Sequence, residues 1–370
     1  MRKVRLTKEG LLMKRLEEFR GMLAENDLDG FLISSPENRR YLSGFTGSSG
    51  VLLIDQKQAV LLTDFRYLEQ AAEQVAKSGF KVKKHQPKLW LTVVDEITAW
   101  SKRQALRWGF ESEHLVEKDF RFLQENLTQV KLVPTEGLVN ILRQIKSSEE
   151  IDSIRQAVKI TDQAWKELLS ETKPGKKESE IAATFEYFQR RLGAEGTSFQ
   201  TIVASGPRSA LPHGVAGERR VEEGDLIVLD GGALYNGYCS DFTRTIVVGQ
   251  PTARQLEMYN LVLKAQEAAL EGMRPGMTGK EVDALAREVF IEAGYGDNFG
   301  HGLGHSLGLA IHESPRLSPL DESVLEPGMV LTVEPGVYLP GWGGIRIEDV
   351  VVVTEDGIEN LTLSPKKLTL

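Results

Sequence analysis

"VEEGDLIVLDGG" (residues 221–232) and "LEPGMVLTVEPG" (residues 325–336) are two copies of one pattern. They align without a gap at an offset of 104 positions, with Glu222/Glu326, Gly224/Gly328 and Gly232/Gly336 identical and most apolar residues opposite apolar residues. Each copy reads as a glycine turn leading into a buried strand. Each strand ends on an acid, Asp230 in the first and Glu334 in the second. Shortly after each copy a second acid stands in strand-like sequence, Asp241 in "CSDFTRTIVV" and Glu348 in "RIEDVVVV". The pattern predicts two related halves, each contributing a pair of carboxylates from adjacent strands. Taken singly, each acid reads as a strand-end surface residue. Four converging carboxylates would repel one another and raise each other's pKa, and divalent cations are the usual remedy.

Working outward from the repeat, "ESEIAATFEYFQRRLG", "TARQLEMYNLVLKAQEAALEG" and "TGKEVDALAREVFIEAG" carry helical periodicity. Ser147 with Glu150 and Thr278 with Glu281 form capping-box patterns, and Ile151, Ile154, Val158, Trp165 and Leu168 mark one face of the first of these capped helices. Together with "DLIVLD", "DFTRTIVV", "MVLTVEP" and "IRIEDVVVV" as strands, residues 135–370 are expected to form an α+β domain with an internal pseudo-twofold repeat. Residues 1–134 alternate helical and strand patterns, among them an apparent hairpin "GVLLID-QK-QAVLLTD" and a helix "LTVVDEITAWSK", and are expected to form a separate α/β domain. Pro134 and Gly137 punctuate the boundary.

Composition narrows the function classes. The 370 residues suffice for two domains, and 41% apolar with 26% charged residues is ordinary for a globular protein. A formal charge of −8 without a dense basic stripe argues against nucleic acid as the main partner. The sole cysteine, Cys239, forms no intramolecular disulfide and reads as a small buried residue, which fits a reducing compartment. The start of the chain lacks the apolar core of a signal peptide, and no segment is long enough to span a bilayer, so a cytoplasmic, soluble protein without a membrane partner is expected. "FTGSSG" lacks the Lys-Ser/Thr ending of a phosphate loop.

Three of the six histidines, His301, His305 and His312, lie in the glycine-rich stretch 296–315. One of them is expected to join the four acids as a ligand, and their spacing does not say which. Carboxylates with one imidazole suit Mn, Fe, Co or Zn better than a structural cysteine site would. His85 and His114 stand alone and read as surface residues.

These motifs carry a resemblance. "LDGGALYNGYCSDFTRT", "GHGLGHSLGLAIHESP", "VLTVEPGVY" and "GGIRIEDVVVV" resemble the catalytic domain of the pita-bread (creatinase/aminopeptidase-like) metallopeptidases, and best the Xaa-Pro peptidases, aminopeptidase P and prolidase. "NRRYLSGFTGSSG" (residues 38–50) is similar to a stretch in the creatinase/prolidase-type N-terminal domain of the same enzymes. The resemblance implies Asp230, Asp241, His305, Glu334 and Glu348 as ligands of two divalent ions, manganese first and Co, Zn or Fe as alternatives. It also implies Glu334 as general acid/base, His213 and His312 as catalytic or substrate histidines, and His301, Tyr338 and Arg346 as substrate-side residues. The expected reaction is hydrolysis of the bond between an N-terminal residue and proline in proline-containing peptides. Aminopeptidase P is the expectation and prolidase the alternative, with a methionine aminopeptidase-like enzyme or a non-catalytic peptide-binding module further behind. A homodimer is expected by the same analogy.

Overall fold

The computed structural model describes residues 8–100 and 106–369. They pack as two compact units that divide between Arg143 and Gln144. The division was expected at 134/135, and the short helix over Leu138–Gln144 packs almost entirely with the first unit.

In the first unit, α1 (Lys8–Glu25), β1 (Gly30–Ile33), α2 (Pro36–Ser43), β2 (Val51–Asp55), β3 (Ala59–Thr63), α3 (Leu68–Val75), β4 (Lys81–Lys84), α4 (Leu89–Trp100), β5 (Leu106–Glu111), α5 (Glu117–Asn126) and β6 (Val130–Thr135) alternate as expected. The six strands form one mixed sheet in the order β4-β3-β2-β1-β5-β6. Leu32, Leu53, Val60, Leu62 and Trp108 of the sheet pack against Val93, Ile97 and Leu123 of the helices. The expected β2–β3 hairpin is present. The last two residues of the expected helix "LTVVDEITAWSK" lie outside the described residues. Helix α2 went unanticipated because it is only two turns long. It is nevertheless well specified, with Ser35 capping Asn38 N, Pro36 in the first turn and Gly44 left-handed at the C-cap. Helix α6 (Leu138–Gln144) ties into this unit through Tyr41 Oη donating to Leu142 O at 2.7 Å and Arg143 Nη1 donating to Asn38 Oδ1 at 2.7 Å.

The second unit begins with α7 (Ser148–Leu168) and α8 (Glu178–Arg191), then β7 (Gly196–Thr197), β8 (Ile202–Ser205), β9 (Leu226–Asp230), β10 (Ala233–Tyr235), β11 (Tyr238–Cys239) and β12 (Thr243–Val247). The long helices α9 (Ala253–Gly272) and α10 (Gly279–Glu292) follow, then β13 (Gly304–Ser306), β14 (Glu313–Leu317), β15 (Val330–Val333), β16 (Gly336–Leu339), β17 (Gly343–Arg346), β18 (Asp349–Val353) and β19 (Ile358–Asn360). Both expected capping boxes form, at Ser147/Glu150 and Thr278/Glu281, each satisfying two otherwise orphaned amides. On α7, Ile154, Val158, Trp165 and Leu168 are buried and Ile151 is half-buried.

The repeat appears as two antiparallel pairs. β9 pairs with β12, Asp230 opposite Thr243, and β15 pairs with β18, Val333 opposite Asp349. The pairs belong to different sheets, β12-β9-β8 and β14-β13-β15-β18-β19. They are stitched together by Glu348 N donating to Thr243 O at 3.1 Å and by reciprocal bonds between Thr245 Oγ1 and the Arg346 backbone at 2.9 and 3.0 Å. "IRIEDVVVV" is not the single strand expected, because β17 ends at Arg346 and β18 starts at Asp349. The chain leaves one ladder for another at Ile347–Glu348, and this break frees Glu348 to face the seam instead of alternating within a sheet.

Glycine 304 shows how tightly this seam closes. A Cβ there would lie 2.0 Å from Thr332 O, a backbone atom that cannot swing away. Gly304→Ala is therefore expected to destabilise the fold by about 1–3 kcal/mol or more. Urea unfolding followed by circular dichroism would check this through a clearly lowered midpoint.

Candidate metal centre

Each site acid stands where a strand ends or a connection turns inward. Asp230 closes β9, Asp241 lies in the β11–β12 connection, Glu334 follows β15, and Glu348 occupies the β17–β18 break. Asp230, Asp241 and Glu348 are buried, and one oxygen of each lies within 4.8 Å of the others. His305, in β13, brings Glu334 to them. Its Nε2 is 3.4 Å from Glu334 Oε1 and 3.5 Å from Asp241 Oδ2. The five residues thus meet from five segments, the four acids on the two repeat-related strand pairs.

The local chemistry defines the protonation of His305. Its Nδ1 lies 3.1 Å from Ser306 O, and a carbonyl can only accept, so Nδ1 carries the proton and Nε2 presents a lone pair. Burial pushes its pKa down to about 4, with His312 adding to the effect, so near neutral pH the ring is uncharged. A lone pair aimed at two carboxylates is repulsive unless a proton or a cation stands between them.

The acids carry the same signature. Burial raises Asp230, against the pull of Arg346. Burial raises Asp241 well above the carboxylate range, and Asp230 and Glu334 push it further. Glu348 is likewise raised well above that range by burial and then by Asp241. Burial lifts Glu334 to about 7. Only part of this charge is answered by protein. Arg346 Nη2 donates to Asp230 Oδ2 at 2.6 Å, and Thr243 Oγ1 donates to Glu348 Oε2 at 2.7 Å. Asp230 Oδ1 and Glu348 Oε1 are buried without a hydrogen-bond partner. Two orphaned carboxylate oxygens, a neutral imidazole lone pair and four mutually repelling acids make a donor set that fits divalent cations.

The other expected residues gather around a cavity of about 1490 Å³ that opens onto the acids. A directed chain leads away from Asp230. Arg346 Nη1 donates to Tyr338 Oη at 2.7 Å, Tyr338 Oη donates to His301 Nε2 at 3.1 Å, and His301 Nδ1 donates to Gly302 O at 2.7 Å. Burial lowers His301 to about 4, consistent with its accepting the phenol proton as a neutral ring. His312 packs edge-on against His305 with ring centres 4.4 Å apart, and burial followed by Arg316 lowers its pKa. His213 lines the cavity from an exposed loop position. Cys239 is buried and outside the cavity lining, while His85 and His114 lie in the other unit.

Sequence reasoning missed Arg316. In the β13–β14 register it stands directly opposite His305, and opposed residues of an antiparallel pair share a face. Its side chain therefore lines the same cavity, and no carboxylate lies within ion-pair distance of it among the described residues. A cation four residues past His312 was the available signal. Without the register, its direction could not be read.

Comparison with known proteins adds the following. Metallopeptidase family M24 matches residues 152–355, and the creatinase/prolidase N-terminal domain matches residues 15–145. A solved Xaa-Pro dipeptidase from Bacillus anthracis is 45% identical with a TM-score of 0.93, covering 97% of this chain and 100% of its own. An X-Pro aminopeptidase from Thermotoga maritima is 40% identical with a TM-score of 0.88, covering 96% and 99%. A Xaa-Pro dipeptidase from Pyrococcus furiosus is 44% identical over 96% of this chain and all of its own. Among the described residues no helix is long and apolar enough to cross a membrane.

The raised acids have a consequence for stability. Burial lowers His301, His305 and His312, so above pH 7 the raised acids govern the balance. Metal-free folded protein holds protons there that the unfolded chain has released, and this stabilisation is lost as pH rises through Glu334's value of about 7 and beyond. The thermal midpoint of metal-free protein is therefore expected to fall between pH 7 and 8.5. Adding Mn²⁺ should raise it increasingly with pH, the gain in unfolding free energy being about 2.7 kcal/mol at a hundredfold excess over Kd. Asp241→Asn should flatten the pH dependence and abolish most of the Mn²⁺ shift, both measurable by calorimetry.

Proposed function

The chain belongs to metallopeptidase family M24, with a creatinase/prolidase N-terminal domain ahead of the catalytic one, and from that premise we propose that it is a Xaa-Pro dipeptidase, a prolidase. The observation that carries the choice over aminopeptidase P is Arg316, a guanidinium with no ion pair among the described residues that faces the cavity opposite His305. A Xaa-Pro dipeptide places a free carboxylate one residue beyond the scissile bond, and a guanidinium binds such a group strongly and with defined geometry. A longer peptide has an uncharged amide there. Similarity to the dipeptidases of B. anthracis and P. furiosus supports the same choice, so the balance moves to what the sequence alone offered as the alternative. The T. maritima X-Pro aminopeptidase keeps the longer-substrate reading as the competitor.

Asp230, Asp241, His305, Glu334 and Glu348 would hold two divalent cations. Manganese is the expected ion for a set of four carboxylates and one imidazole, with Co, Zn or Fe as alternatives. When bound, the cations supply Lewis acidity towards the scissile carbonyl and a water acidic enough to attack near neutral pH. Glu334 takes the proton of the attacking water on its carboxylate and delivers it to the proline nitrogen as the bond breaks. His312, beside His305 at the cavity wall, donates to the carbonyl oxygen as charge develops there. His213 meets the substrate from the opposite loop. Arg346 holds Asp230 in place from one side and orients Tyr338 and His301 from the other. Proline lacks an amide N–H, and this reading needs no residue to receive one. A homodimer and a cytoplasmic location belong to the same reading. The first rests on family resemblance, the second on the single cysteine.

Purified protein loaded with Mn²⁺ is expected to release alanine from Ala-Pro and to leave Ala-Pro-Ala largely intact, with Glu334→Gln as the inactive control. Arg316→Gln should raise KM for Ala-Pro about 10- to 100-fold, the worth of a lost charged hydrogen bond, with a smaller change in kcat. Efficient cleavage of the tripeptide alone would return the assignment to aminopeptidase P. Cleavage of neither, with metal bound, would end the Xaa-Pro reading.

A further inference from the structure

Lys146 lies in the α6–α7 connection, between the two family-matched stretches, 15–145 and 152–355, and no motif pointed to it. Its side chain is 1% exposed, an unusual place for an ammonium. Nζ donates to Ser306 Oγ at 2.8 Å and lies 3.3 Å from Glu313 Oε2, whose side chain is also buried. Ser306 and Glu313 are cross-strand partners in β13 and β14, at the base of the loop that joins the two strands and next to a bulge between His305 and Ser306. Each is the immediate neighbour of a site histidine.

The contacts run on from both partners. Ser306 O receives His305 Nδ1 at 3.1 Å. Glu313 Oε1 accepts Ala310 N at 3.0 Å, inside the loop that ends in His312. The carboxylate lies so close over this loop that a Cβ on Gly308 would sit 2.7 Å from it. One ammonium therefore touches both partners at the base of the segment that carries His305 at one end and His312 at the other.

We propose that Lys146 is a positioning residue, which sets the His305–His312 pair for metal binding and catalysis by clamping Ser306 and Glu313. The proposal rests on the reading of the site as a hydrolytic metal centre. It acts through geometry more than through stability. Burying an ammonium and a carboxylate is costly, and apolar groups of similar size often hold a fold equally well. What such groups cannot do is orient Ser306 Oγ and the Glu313 carboxylate at once. The bulge needs that restraint because it interrupts the regular ladder beside His305.

The test compares Lys146→Met, Lys146→Arg and the double variant Lys146→Met/Glu313→Gln, the last removing the unpaired buried charge that could stop the single variant from folding. Four quantities are read: unfolding midpoint, Mn²⁺ affinity of the metal-free protein, imidazole ¹H–¹⁵N spectra of His305 and His312, and kcat against KM on Ala-Pro. The double variant is expected to melt near the parent yet bind Mn²⁺ about 10- to 100-fold more weakly, the usual effect of losing a group behind a ligand. Its imidazole signals should shift or broaden, and kcat should fall more than KM rises. Lys146→Arg should recover part of each loss. A double variant with parental Mn²⁺ affinity and unchanged imidazole signals, whatever its midpoint, would reduce Lys146 to a structural ion pair and overturn the proposal. If the parent binds Mn²⁺ but cleaves neither peptide, the peptidase reading fails, while affinity and spectra still decide the role of Lys146.

Discussion

Four carboxylates and an imidazole lone pair are crowded together at a largely buried site on the wall of a cavity, and the protein alone does not neutralise them. Arg346 answers one acid and Thr243 hydrogen-bonds another, leaving an oxygen of each orphaned. A buried group in that condition is expensive, so the surrounding structure must keep the donors from turning outward. Most of the second unit can be read as the means of doing so. Two strand pairs hold the acids, a seam of backbone and threonine bonds locks the pairs together, and tight glycine contacts leave no slack.

The arginines divide this work by depth. Arg346 faces the cavity and links Asp230 to Tyr338 and His301. Arg244, 1% exposed, lies behind the acids and donates to Thr243 O and Glu348 O, to Asp349 Oδ1 at 2.9 Å and to Ser364 O at 2.8 Å. Asp349 is also met by Lys366 at 2.7 Å. The backbone of Glu348 is thus anchored from the rear while its carboxylate faces forward. Arg316 is the exception, exposed and without an ion pair among the described residues, as the proposed contact with substrate would require. Three guanidiniums in one neighbourhood therefore have three fates, decided by what each can reach.

The histidines separate in the same way. His301, His305 and His312 look alike in sequence, each embedded among glycines or beside an acid. Hydrogen bonds to neighbouring carbonyls fix the tautomers of His301 and His305, and their ring environments differ. His305 aims its lone pair at Glu334 and Asp241, His301 accepts from Tyr338, and His312 sits exposed at the wall. The glycine-rich stretch is not a flexible tether. Gly304 and Gly308 are glycines because backbone or carboxylate already occupies the space a side chain would take.

Read by itself, the sequence determined what is periodic or repeated along the chain. The repeat with Asp230 against Glu334, the two capping boxes, the apolar face of α7 and the alternating first domain were all legible, because spacing of 2 or 3.6 residues and turn glycines are local signals. The motifs further tied four acids and one histidine to one centre through family resemblance. Tertiary structure alone decided the rest. It broke "IRIEDVVVV" at Ile347–Glu348, set Arg316 opposite His305, and buried Lys146 beneath the loop between β13 and β14. Each of these depends on cross-strand register or on contacts between residues far apart in the chain. Such pairings are set by how whole strands pack, and periodicity within one strand carries no record of them.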